Sequence, residues 1–494
     1  MSATVPVDVW RAPGGPTPEA LEALALEFPM LARLPGMDRR TLLRVMGASL
    51  AMAGLAGCKP ERSADAVPYV TQPEGITVSE AQYYATAVPF DGWAQPALAT
   101  AYVGRPTRLD GNPDHPASRG KSDPFLQAAV LDLYDPDRSQ AVSQAGTPAA
   151  WSAFDTALAG WRRDWGRTGG AGVHLLLGPN RSPTLAAQLD RLQAMYPRLG
   201  LHRMPAASDG LRAAAATAAF GRPLAMHVAL DRARTVVSLD DDLLGPGPWQ
   251  VANMLAWSTR RGEAADRQHL YVAEPTPTLT GAVADSRRAV AAGRIPLLVA
   301  AIAAHVGLGA MPAGLTTAES AWAVRMAAAL RRDAGASLLA VGATLPPATQ
   351  ALGFAVNDAL GNTGRTLWWA EPAAMPGGDV AALAAELAAG RVDTLLALDA
   401  NPVYALPWLG WRQARLRLHA GLHVDETAAQ SHWHLPLHHP LEMWSDGRAV
   451  DGTATLTQPL VEPLYDTRSV HGIVAALAGD TRDDRSLVRA TWPM

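Results

Sequence analysis

The sequence predicts an α/β fold: parallel sheets with helices on both faces, plus a small loop- and β-rich N-terminal region. Two observations predict it. Short unbroken apolar runs recur, as in Val173–Leu177, Thr235–Leu239 and Leu395–Leu398. Strands buried on both faces read this way, whereas half-exposed strands alternate. Ala-rich helical stretches separate the runs, at Leu211–Ala219, Ala321–Leu330 and Val380–Ala389. Such stretches serve as crossovers between parallel strands.

Composition narrows the function classes. The chain has 494 residues, which suggests roughly three domains at about 150 residues each. It has one cysteine, Cys58, and a formal net charge of −4. A single cysteine excludes an internal disulfide, a Cys-rich zinc site and a cluster with several cysteine ligands. The arginines are scattered and lysine occurs only at 59 and 121. No basic stripe marks a nucleic-acid partner.

Residues 1–57 read as an extended export segment. Arg39 and Arg40 form a twin-arginine pair, and Val45 to Ala56 is an uncharged, mostly apolar run. The run is 12 residues long, and a span needs about 20, so it reads as a signal region. Leu55, Ala56, Gly57 and Cys58 have the order of a lipoprotein cleavage site, with Cys58 as the residue acylated. Twin-arginine signals are addresses read by a receptor, not anchors. Attachment to the membrane would then be through lipid alone, because the apolar run Ile295–Ala304 is broken by Pro296.

Residues 58–150 form a leader and a β- and loop-rich region. Tyr83 to Val103 is β-like, with turns expected at 104–106 and 111–113 and a short strand between them. From Trp151 onward strands and helices alternate. A first α/β domain is expected over 151–215 and 335–430, with strands at Val173–Leu177, Leu338–Val341, Thr366–Trp369 and Leu395–Leu398. An inserted α/β domain would occupy 216–334, with strands at Thr235–Leu239 and Leu270–Ala273. Residues 431–494 would form a loop and β region with a short helix.

Ligands in such folds lie outside the carboxyl ends of strands. Asn180, Asp240, Asn401 and Pro402 stand there, in Gly178-Pro179-Asn180, Asp240-Asp241-Asp242 and Asp399-Ala400-Asn401-Pro402. Asn and Asp side chains there suit the hydrogen-bonding edge of a nucleotide or pterin. They equally suit plain strand-ending turns. His432, His434, His438 and His439 cluster in QSHWHLPLHHP. Imidazole is a common metal ligand, but the spacing matches no tight zinc motif, so no metal is assigned. No nucleophile elbow, phosphate loop or dinucleotide fingerprint appears, and no catalytic residue is assigned. Trp408, Trp411, Trp433 and Trp444 are candidates for either interface or core.

Several long motifs carry a family likeness: GRPTRLDGNPDHPASRG at 104–120, LDLYDPDRSQ at 131–140 and VVSLDDDLLGPGP at 236–248. EPTPTLTGAVAD at 274–285, GRVDTLLALDANPVY at 390–404 and HWHLP at 432–436 continue it. With the leader, the chain resembles the N-terminal half of the large subunit of alternative complex III, the TAT-variant-translocated molybdopterin oxidoreductase. The resemblance implies a molybdopterin oxidoreductase (DMSO reductase-like) fold with no cofactor in this chain. It implies a structural subunit of a quinol-oxidising complex on the periplasmic side of the bacterial inner membrane. The partners would be an iron–sulfur subunit, cytochrome c subunits and integral membrane quinol-oxidising subunits.

Two departures from that family pattern bear on function. Tyr83 to Val103 has no cysteine where molybdenum enzymes often hold a cluster. The chain stops at Met494, before the cluster-bearing half, so either a separate subunit supplies that half or the chain is a truncated product. Two alternatives remain. One is a molybdopterin-dependent periplasmic oxidoreductase with a serine or aspartate metal ligand. The other is a free-standing binding lipoprotein.

Overall fold

A computed structural model describes residues 80–204, 209–261, 267–371 and 375–492. Arg39 and Arg40, expected to form an export signal, and Leu55, Ala56, Gly57 and Cys58 lie outside the described residues. Among the described residues no helix is long and apolar enough to cross a membrane.

An antiparallel meander begins the described chain: β1 (Gln82–Phe90), β2 (Trp93–Tyr102) and β3 (Arg105–Gly111). The turn between β2 and β3 is Val103-Gly104, both with positive φ (52° and 73°). Arg105 and Pro106 therefore belong to the strand, which starts just after a turn one residue earlier than expected. Residues with φ > 0 at both central positions match the right-handed twist of the strands they join.

Among the described residues the main sheet holds seven strands: β4 (Ser143–Gln144), β5 (Thr147–Pro148), β6 (Val173–Leu177), β7 (Gly200–Arg203), β14 (Thr394–Leu398), β15 (Leu416–Gly421) and β16 (Trp433–Pro436). Their order is β5-β4-β16-β15-β14-β6-β7, parallel from β16 to β7. One face buries Leu175, Leu177, Leu396, Leu398 and Trp433 in a core shared with the helices Trp151–Thr168, Pro183–Met195 and Val470–Ala478. The other buries Leu176, Leu395 and Ala397 beside Leu383 and Leu387 of the helix Val380–Ala388. Double-sided burial explains the unbroken apolar strands.

Between these two stretches runs a second unit with its own core. It contains β8 (Ala225–Val228), β9 (Thr235–Leu239), β10 (His269–Glu274), β11 (Ser286–Ala289), β12 (Ser337–Val341) and β13 (Leu367–Ala370). Four of them form a parallel sheet, β11-β10-β9-β12, and β13 pairs antiparallel with β8. This moves the expected boundary at 334/335. Leu338–Val341 pairs with Val236–Leu239, and Leu367–Ala370 pairs with Ala225–Val228, so both belong to the second unit. An apolar run specifies burial on two faces but not which sheet receives it.

Several helices start at a side-chain cap. Ser182 caps Pro183–Met195 by accepting from Leu185 N, with Pro183 in the first turn. Thr316 and Glu319 form a capping box at the start of Thr317–Arg332. Near the C-terminus β17 (Ser445–Arg448) and β18 (Ala454–Thr457) make a hairpin. It runs beside the opening meander: Thr86 Oγ1 donates to Gln458 O at 3.0 Å, and Thr457 Oγ1 to Ala87 O at 3.2 Å. The opening meander and this hairpin thus lie side by side.

Candidate functional site at the carboxyl ends of the sheets

The two parallel sheets end in the same way. β14 is followed by Asp399 and β9 by Asp240, both left-handed, with φ of 52° and 57°. Each puts its carbonyl against a glycine that ends the neighbouring strand. A Cβ on Gly178 would come 1.8 Å from Asp399 O, and one on Gly342 would come 1.9 Å from Asp240 O. The Gly178 amide donates to Leu398 O at 2.9 Å, and the Gly342 amide to Leu239 O at 2.9 Å. Glycine is needed at 178 and 342 for space.

The amide side chains expected to face a ligand bond the chain itself. Asn401 caps the short helix Pro402–Ala405: its Oδ1 accepts from Tyr404 N at 3.3 Å and from Thr427 Oγ1 at 2.7 Å. Its Nδ2 donates to Glu426 at 2.7 Å. Asn180 Oδ1 accepts from Ser182 N at 2.8 Å, closing a local turn. The β1–β2 turn sits on this loop, where a Cβ on Gly92 would lie 3.0 Å from Asn180 N. Pro402 is buried. Beside Asp240, Asp241 pairs with Arg212 at 3.3 Å, and Asp242 accepts from Thr280 N and Oγ1 at 2.9 and 2.6 Å. Burial, then Glu274 and Asp241, push the Asp240 carboxyl above its ordinary range.

The N-terminus of the helix after β6 is where a doubly wound sheet offers backbone N–H groups to an anion. Here Asp446 from β17 holds that place. Its carboxylate accepts from Ser182 Oγ, from Thr184 N at 3.2 Å, from Thr184 Oγ1 at 2.7 Å and from Trp492 Nε1 at 2.6 Å. Nothing in the local sequence around Ser182 announces this, because the partner lies 264 residues away.

The histidine cluster divides into separate tasks. His434 meets His419 rather than His432: the rings stack at 5.1 Å, with 3.0 Å between their Nδ1 atoms. His434 Nε2 bonds Ser139 Oγ at 2.6 Å. His432 Nδ1 accepts from Arg417 N, His438 Nδ1 bonds Thr467 Oγ1, and His439 Nδ1 accepts from Leu441 N. A second stacked pair, His174 and His202, lies on the same face of the main sheet, with 2.9 Å between Nδ1 and Nε2. Burial lowers the pKa of His174, His419 and His434 to about 4. Among the described residues no three His, Cys, Asp or Glu are grouped to hold a metal ion.

Of the four tryptophans, Trp411 and Trp433 are core and Trp444 is half-buried, while Trp408 is 60% exposed. Sequence reasoning missed the two histidine pairs, because their partners sit on neighbouring strands rather than neighbouring positions. It also missed Asp446 and the buried Arg138–Glu442 pair.

A pterin nucleotide brings phosphate and a polar ring edge. The helix N-terminus suited to phosphate is held by Asp446, Arg212 is paired with Asp241, and Arg181 lies over the Trp93 ring at 4.1 Å. The amides of Asn401 are spent within the chain. These residues do not fit that cofactor.

No family model and no curated protein sequence matches the chain. Among solved structures, acetylene hydratase from Pelobacter acetylenicus aligns with a TM-score of 0.59 at 13% identity, covering 83% of this chain and 70% of that one. The formyltransferase/hydrolase complex from Methylorubrum extorquens, in complex with methylofuran, aligns at 0.46 and 14% identity over 71% of this chain and 99% of that chain. At such identities the first likeness speaks for architecture. Over most of its length this chain is similar in fold to acetylene hydratase.

Proposed function

We propose that this chain is a structural, cofactor-free subunit of a periplasm-facing quinol-oxidising respiratory complex of the alternative complex III type. It scaffolds the iron–sulfur and cytochrome c subunits, while electrons pass from quinol to cytochrome c or an oxidase through those neighbours. The observation that carries the cofactor-free reading is Asp446 in the anion position at the start of Pro183–Met195. The motifs at 104–120, 236–248 and 390–404 carry the family reading. The likeness to acetylene hydratase is consistent with a molybdopterin-enzyme-like architecture. Export through Arg39 and Arg40 and acylation of Cys58 belong to the same proposal.

The test is purification of the native protein from membranes in mild detergent, with metal analysis and pterin fluorescence. Co-elution with haem- and cluster-bearing subunits, without stoichiometric molybdenum, is expected. One molybdenum per chain would overturn the proposal in favour of a molybdopterin-dependent oxidoreductase. Elution alone, free of haem and clusters, would favour a free-standing binding lipoprotein.

A further inference from the structure

Two of the family motifs meet at a cleft that the scaffold reading leaves without a role. The loop ending GNPDHPASRG at 111–120 supplies Arg119 to its rim, and Trp249 follows directly on LLGPGP at 243–248. The cleft encloses about 520 Å³, within the range of small-molecule sites. Its walls are aromatic. Trp249 meets Trp93 edge-on at 5.7 Å and His227 edge-on at 4.8 Å. His227 in turn stacks on Trp368, with 5.8 Å between centroids and 11° between planes.

None of these three rings is fully buried. Trp368 is 42% exposed, and His227 and Trp249 are half-buried. Among the described residues no hydrogen bond reaches the His227 ring nitrogens. Burial lowers the His227 pKa, which keeps the imidazole neutral at pH 7. Large ring faces left beside a cavity stack flat ligands. At the rim the charges nearly cancel. The lining carries Arg119 and Arg448 with Asp231, Asp451 and Glu371, and Glu371 is already paired with Arg222 at 2.7 Å. Such a rim does not draw an ion of either sign.

We infer that this cleft binds an uncharged, flat aromatic compound of fused-ring size, stacked against Trp368 and Trp249. The inference does not depend on the scaffold proposal. The test is calorimetric titration of the full chain with 2-naphthol, and with its isosteres 2-naphthoate and 2-naphthylmethylammonium. One-to-one binding of 2-naphthol is expected, about tenfold tighter than either charged isostere. Trp368→Ala, at an exposed position, lowers affinity about tenfold, while Trp368→Phe keeps most of it. Ala252→Trp fills the cleft and abolishes binding. Melting curves of each variant check the fold. Absence of saturable binding to the wild type overturns the inference. So does Trp368→Ala binding as the wild type does, or a charged isostere binding more tightly than 2-naphthol.

Discussion

Gly178 and Asp399 meet backbone to backbone where two neighbouring strands end: a Cβ at 178 would lie 1.8 Å from the Asp399 carbonyl oxygen. The other sheet repeats the contact between Gly342 and Asp240, at 1.9 Å. Neither glycine has positive φ, so alanine fails for lack of room. Gly178→Ala and Gly342→Ala are each expected to cost about 1–3 kcal/mol or more, as overpacking against backbone does. Urea denaturation measures it, and a stability equal to the wild type would refute the contact.

Asp446 ties three distant segments together at a helix start. Asp446→Ala leaves the buried donors of Ser182 and Thr184 and the half-buried Trp492 Nε1 without this acceptor. Lost stability of about 2–4 kcal/mol is expected. The vacated helix N-terminus then becomes an anion site. Inorganic phosphate should raise the melting temperature of Asp446→Ala but not that of the wild type.

Arg138 and Glu442 form a bidentate pair whose side chains are 1% and 0% exposed, with contacts of 3.1 and 2.6 Å. Burial alone would raise the Glu442 pKa. Hydrogen bonds from Arg138 and from the amides of Leu464 and His439 outweigh it and hold the carboxyl below its ordinary range. Arg138→Met strands a buried carboxylate and is expected to cost about 3–5 kcal/mol. Adding Glu442→Leu should recover part of that loss in a double-mutant cycle.

Acid should weaken the fold before most carboxylates protonate. Burial lowers His174, His419, His434, His438, His439 and His471 from 6.5 to about 4. The unfolded chain, with ordinary histidines, takes up protons first as pH drops. The stabilisation is therefore complete above pH 6.5 and lost progressively down to about pH 4. Each histidine contributes a slope of up to about 1.4 kcal/mol per pH unit. Asp484, raised to about 6 by burial, works the other way, and the six histidines outweigh it. Melting temperatures between pH 7.5 and 5 should fall steadily, and His434→Gln should flatten the fall.

Much of the architecture was legible in the sequence. The runs Val173–Leu177 and Thr235–Leu239 are strands with those bounds, Leu395–Leu398 lies in a strand that starts one residue earlier, at Thr394, and Ser182-Pro183 starts a helix as capping chemistry requires. These are local properties: double-sided burial shows as unbroken apolar residues, and a cap needs only its own first turn.

What the sequence left open was relational. Leu338–Val341 reads identically for either sheet, and only pairing with Val236–Leu239 decides between them. Asn180 and Asn401 stand at the strand ends as expected, yet their hydrogen bonds turn inward. His434 found His419 across a strand pair instead of His432 beside it, and Asp446 reached Ser182 from 264 residues away. The sequence by itself determined the α/β class, the positions of the fully apolar strands and of several helices, and the solitary cysteine. Tertiary structure decided which sheet each strand joined and which groups filled the strand-end positions. Pattern and propensity act over a few neighbouring residues, whereas a hydrogen bond or a packed pair depends only on distance in the folded chain.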